Sequence, residues 1–189
     1  MKKFAVMSLA LVLGIATSLA AGYFLNRQPQ VLHAKAQWAE VYRSPADLVA
    51  GADLIVVARH VSAQPGRIVG TTPFTYNGFE IKRLLKGIHD EKALIVEQTG
   101  GLMDDGTILD IDDGGRYTPG QDYLLFLKPQ GNGVYYQINH QARYQIRNGL
   151  LKGVDPTDSV VARFNGRDVD SSLALIESRV GTVDMQKAD

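Results

Sequence analysis

The sequence predicts a mainly β domain: a small antiparallel barrel of about five to seven strands, with short flanking helices and an apolar N-terminal helix. Three observations carry this prediction. Short strand patterns with apolar residues on both faces recur from Leu54 to Val154, Gly and Pro punctuate them, and helical patterns bracket that region. A glycine inside the longest strand pattern, at Asn77-Gly78, marks a bulge or sharp bend. Such curvature favours a barrel over the alternative of an open sandwich.

Met1 to Leu25 comes first. Lys2 and Lys3 precede an uncharged apolar run from Phe4 to Leu25. At 1.5 Å per residue this run can cross a bilayer core of roughly 30 Å. Ser18-Leu19-Ala20 offers the small residues that a signal peptidase reads, so the segment is either a signal peptide cleaved after Ala20 or a retained anchor. The run's length favours the anchor. Basic residues before the span stay cytoplasmic, so both readings place the rest in the cell envelope, inner-membrane anchored with the domain outside, or secreted if cleaved. Residues 26–43 read as a tether, 44–182 as the folded domain and 183–189 as a tail.

Within the domain, Ser44 can cap a short helix, Pro45 suits its first position, Asp47 favours its positive end and Gly51 closes it. Leu54 to Ala63 is apolar on both faces at first and polar later, the mark of a central strand. A loop is expected from Gln64 to Pro73, then a strand from Phe74 to Lys86, with Phe79, Ile81, Arg83 and Leu85 on one side. "ALIVEQTG" makes a further strand, and "MDDGTILDIDDGG" a polar hairpin or excursion. Tyr123 to Leu127 is uninterruptedly apolar, which predicts that both its faces are covered. Val134 to Ile138 and Arg143 to Arg147 come next, the latter alternating so that its outer face is wet. Asn148-Gly149 matches a two-residue hairpin turn into Leu150 to Val154. Asp168 can then cap a helix whose stripe is Val169, Leu173, Ile176 and Val180.

Composition excludes several classes. Twenty basic and twenty acidic residues give a formal charge of zero, so there is no general pull towards nucleic acid, and no local basic cluster stands out along the chain. The absence of cysteine removes disulfides, thiolate nucleophiles and Cys-ligated metal centres. No serine lies in a Gly-x-Ser-x-Gly context, and the histidines lie far apart, without His-x-His or His-Glu-x-x-His spacing. A hydrolase is therefore the least favoured class, and no cofactor motif is present.

"SPADLVAGADLIVVARHV", "YNGFEIKRLLKG", "ALIVEQTGG" and "YTPGQDYLLFLKP", taken in that order, resemble the pattern of the netrin-type and metalloproteinase-inhibitor-like (TIMP-like) OB domains, including bacterial exported versions. The resemblance covers roughly Ser44 to Pro129, with a looser echo in the final strands and helix. It implies a five-stranded OB-type barrel outside the membrane, with protein recognition as one use. The animal inhibitors place an N-terminal cysteine on their target's zinc. This chain has no cysteine, so that mechanism transfers to no residue here.

The expected function is a non-enzymatic binding module that recognises an envelope or extracellular protein or another envelope component. Calcium or small-ligand binding is the alternative. Asp110, Asp112 and Asp113 are weak calcium candidates, because Gly114 takes the next alternate ligand position and no glutamate closes the register. A solvated turn explains the same aspartates. Candidate partner-binding residues are Arg59, His60, Arg67, Asp104, Asp105, Arg116 and Tyr117, at the polar end of a central strand and on the stretches Gln64 to Pro73 and Leu102 to Tyr117.

Overall fold

A computed structural model describes residues 30–35, 40–111 and 115–187. The N-terminal apolar segment, Trp38, Asp112 and Asp113 lie outside the described residues. Among the described residues no helix is long and apolar enough to cross a membrane. From Val31 onward the chain forms one compact unit.

The fold is mainly β, with ten strands in two sheets and two α-helices among the described residues. In chain order the elements are β1 (Val31–Ala34), α1 (Pro45–Gly51), β2 (Leu54–Val69), β3 (Thr72–Lys86), β4 (Ala93–Thr99), β5 (Gly101–Leu102) and β6 (Ile108–Ile111). Then come β7 (Asp122–Gly131), β8 (Val134–Gln137), β9 (Arg143–Arg147), β10 (Leu150–Gly153) and α2 (Val169–Lys187). The larger sheet runs β10-β9-β7-β2-β3-β4-β8, and β8 also pairs with β7. The smaller runs β1-β6-β5. Two pairings, β4 with β8 and β1 with β6, are parallel, where an all-antiparallel arrangement was expected.

Local chemistry explains the helices. Ser44 accepts from the Asp47 amide at 3.1 Å, and Pro45 opens α1 as predicted. The far end of α1 is closed by Lys86, whose Nζ donates to the carbonyls of Val49, Ala50 and Ala52. A cation there satisfies orphan carbonyls and suits the negative end of the helix dipole. Asp168 caps α2 by accepting from the Ser171 amide at 2.9 Å. The helix continues to Lys187, through most of the stretch read as a tail.

Two apolar cores lie on opposite sides of one wall. Leu54, Val56 and Ala58 of β2 and Tyr123, Leu125 and Leu127 of β7 face the interior of the curled sheet with Phe79, Leu94 and Val96. Their neighbours Ile55, Leu124 and Phe126 face outward against Leu48 and Val49 of α1 and Leu173 and Ile176 of α2. Each Val, Leu, Ile or Phe among them, fully buried, contributes about 1.5–3 kcal/mol. The unbroken run from Tyr123 to Leu127 is thus covered on both faces, as expected.

Three features depart from expectation. The loop expected from Gln64 to Pro73 is strand, because β2 and β3 form one long hairpin turning at Gly70-Thr71. Pro65 is tolerated there because β2 pairs with β7 only through Arg59 and runs on with one free edge. The bulge expected at Asn77-Gly78 falls on the facing strand: His60 opposes Phe79 and Ser62 opposes Gly78, leaving Val61 as the extra residue. Within the segment read as a tether, β1 pairs with β6 instead of running free. The tyrosine beyond it is also fixed, since Tyr42 donates its amide to Gln141 at 2.8 Å.

The turns and the acidic hairpin agree with the sequence. Asn148 and Gly149 have φ of 51° and 76°, as a turn with two positive φ angles requires. The stretch around Asp104 and Asp105 is a hairpin, β5 to β6. It lies close to the main sheet at Gly101, at φ 148°, where an added Cβ would stand 2.7 Å from Oγ1 of Thr75 on β3.

Candidate functional site

The bulge in β2 sets the site. After Ala58 the inward face of the strand delivers His60, whose backbone is held by Gln121 and Gly120: its N–H donates to the Gln121 carbonyl at 2.9 Å, and its carbonyl accepts from Gly120 at 2.8 Å. Its ring stacks on Tyr117 at 5.7 Å between centroids and meets Phe79 edge-on at 5.2 Å. Tyr123 closes the cluster against Tyr117 at 5.1 Å. His60 is 0% exposed, and among the described residues neither ring nitrogen has a hydrogen-bond partner. Asn77 is 2% exposed, and its Nδ2 has no partner among them.

Both residues line one cleft of about 440 Å³. One wall is the β2–β3 hairpin, contributing Gln64, Pro65 and Thr75; the other is the small sheet, contributing Leu102, Ile108 and Leu109. Its lining is largely apolar. Leaving a buried polar group without a partner costs about 1–3 kcal/mol, so orphans facing a cavity mark where an incoming polar atom would be stabilised.

Of the residues singled out by sequence, His60 and Tyr117 are brought into contact and Arg116 lines the same cleft. Arg59 and Arg67 are engaged elsewhere. Arg59 grips Asp122 through two bonds of 2.7 and 2.9 Å, and this guanidinium holds the Asp122 carboxyl below the usual range. Arg67 grips Glu97 through two bonds of 2.8 Å and lies over the Phe74 ring. Burial works against the Glu97 carboxylate, but hydrogen bonds from Arg67 and Gln130 outweigh it and leave its pKa lowered.

Asp104 and Asp105 sit at the tip of the β5–β6 hairpin, where Asp105 accepts from the Thr107 amide at 2.8 Å, a turn role. Asp110 lies 3.4 Å from His33 across the β1–β6 pair and lines the cleft. Among the described residues no group of three or more acidic or imidazole side chains is arranged to hold a metal ion.

Sequence reasoning missed Asn77 and the cation Arg143. In the sequence Asn77 marks only a bend; its exposure to a cavity depends on the β5–β6 hairpin folding back opposite it. Arg143 is buried, lies over the Tyr117 ring at 4.6 Å and donates to the Gly115 carbonyl at 3.0 Å. Its signal was the alternation of β9, read as a wet face. Beside it the strands assemble a cluster of Arg116, Arg143, Arg147 and Lys152 around a second cavity, where no local basic patch was expected.

No family model matches the chain, and no curated protein matches it. The cleft and the cluster therefore stand on their own geometry.

Proposed function

We propose that the chain is a non-catalytic recognition module of OB type, held in the cell envelope, whose cleft receives an apolar group carrying a hydrogen-bonding head from an envelope component. The barrel part of this reading is supported by the pairings β2-β3-β4-β8-β7, which lead from β7 back to β2. That is the number of strands the resemblance implies.

The observation that carries the binding role is the buried His60 ring and the buried Nδ2 of Asn77, both without hydrogen-bond partners among the described residues, in the lining of an apolar cleft. Ligand sites combine an apolar lining with a few convergent polar groups, and this cleft has both. Binding is favoured over acid-base catalysis because neither nitrogen of His60 contacts a nucleophile or an orienting carboxylate among the described residues. A carboxamide head both donates and accepts, so it can answer an imidazole and an amide together.

Benzamide, with benzene as the control lacking the polar head, is the probe. Titrated into the full-length chain, benzamide gives saturable NMR shifts at His60, Asn77 and Tyr117 that benzene does not reproduce. His60→Leu abolishes them while leaving the thermal midpoint equal or higher, since an orphaned buried ring is removed. Shifts identical for the two probes, or unaltered by His60→Leu, would overturn the reading.

A further inference from the structure

The second cavity, of about 270 Å³, is built by strand register. Arg143, Gln145 and Arg147 occupy alternate positions of β9 and so share one face. Gln145 opposes Lys152 of β10 on one side and Tyr123 of β7 on the other, which brings Lys152 onto that face. The intervening residues Tyr144, Ile146 and Leu151 pack against the helical core, so the register of the cationic face is fixed by apolar burial on the reverse side. Arg116 joins from the segment before β7 and lines both this cavity and the cleft.

Four cations meet here in a chain of zero formal charge, and no aspartate or glutamate is among the described residues that line the cavity. Thr118 and Gln145 add neutral hydrogen-bonding groups. Arg143 is held in place before any ligand arrives, by the Tyr117 ring beneath it and its bond to the Gly115 carbonyl. Such a guanidinium loses little freedom on binding, which is how preorganisation raises affinity.

We propose that this cavity is a phosphate-binding site, taking a phosphate group carried by a small soluble molecule or displayed by a lipid headgroup. A phosphate presents three oxygens and close to two charges, enough to engage several convergent cations. A carboxylate, with two oxygens and one charge, leaves most of them unmatched. The site shares Arg116 with the His60 cleft but uses neither His60 nor Asn77, and it does not depend on what that cleft binds.

The test uses the full-length chain at low ionic strength, where screening is weak. Calorimetry with inorganic phosphate shows saturable binding with a dissociation constant below about 1 mM, and acetate at equal ionic strength shows none. Arg147→Gln with Lys152→Gln, both exposed positions, weakens phosphate binding by about tenfold or more without changing the thermal midpoint. Phosphatidylcholine vesicles with and without phosphatidic acid identify the source. An increment in binding that depends on phosphatidic acid and is lost in the double variant assigns a lipid headgroup and supports the site even without soluble binding.

Phosphate no better than acetate together with no such increment, or binding indifferent to the double variant, overturns the proposal. So does phosphate binding seen only after Asp112→Asn with Asp113→Asn, since the acidic run just before Arg116 would then be the cations' own counter-charge. His60→Leu leaves phosphate binding intact, so the two sites fail or stand separately.

Discussion

Tyr144 and His60 share a chemical predicament and differ in what lies beside them. Tyr144 is fully buried against Phe126 and Phe164, and its hydroxyl has no partner among the described residues. Burial and the charge of Asp158 push its phenol well above the usual tyrosine range, so it stays neutral throughout ordinary pH. An uncompensated hydroxyl costs about 1–3 kcal/mol, and the phenyl ring has the same shape without it. Tyr144→Phe should therefore stabilise the protein by about 1 kcal/mol in urea denaturation, and a loss of stability would show that the hydroxyl has a partner. His60 lines a cleft, so under the proposed reading the same lack of a partner becomes a means of recognition. In the sequence, the alternation of β9 sets Tyr144 opposite the face expected to be wet, and His60 sits at the polar end of its strand. It could not show either orphan, because a missing hydrogen bond is a property of everything packed around the atom.

At the scale of elements, pairs of bidentate arginines tie strands together. Arg67 on the outer half of β2 reaches Glu97 on β4, across the intervening β3, and so pins the arm that forms one wall of the cleft. The folded-state pKa of Glu97 lies below its ordinary value of 4.5. Its contribution is therefore present in full above that value and is lost as pH falls through the lower folded value. Glu97→Gln should lower the thermal midpoint at pH 7, and its gap from the unaltered protein should close as pH falls below about 4.5. A gap that stays constant from pH 7 to pH 3 would mean that the carboxylate charge is irrelevant to the pin. Strands with strong alternation or paired turn signals were legible, β9 and its Asn148-Gly149 turn above all. The outer half of β2 was not, because Pro65 and Gly66 are turn residues wherever local chemistry decides, and here the pairing with β3 overrides them. Nor was β1, whose four residues acquire meaning only from a partner strand far along the chain.

For the whole molecule, the architecture was legible because burial on two faces leaves a mark in sequence, whereas the cleft and the basic cavity arise where distant segments meet. The proposed placement of the chain in the envelope rests on Phe4 to Leu25 and carries its own test. In spheroplasts of a bacterial host the full-length chain should fractionate with membranes, be digested by added protease, and have an intact mass that includes Met1 to Ala20. A mass corresponding to cleavage after Ala20 would replace the anchor with a signal peptide, and a protease-resistant cytosolic chain would overturn export altogether.

The shared wall of β2 and β7 also constrains how such a chain can change over time. Leu54, Val56 and Ala58 serve one core while Ile55 serves the other, so a single inserted or deleted residue there would send each side chain into the wrong compartment. Lineages can exchange one apolar residue for another along this wall, but they cannot lengthen or shorten it. Variation in length is left to the hairpin ends at Gly70-Thr71 and Asp104-Asp105, which line a small cavity of their own beyond the cleft. Insertions there would extend the two arms that wall the His60 cleft without entering its lining.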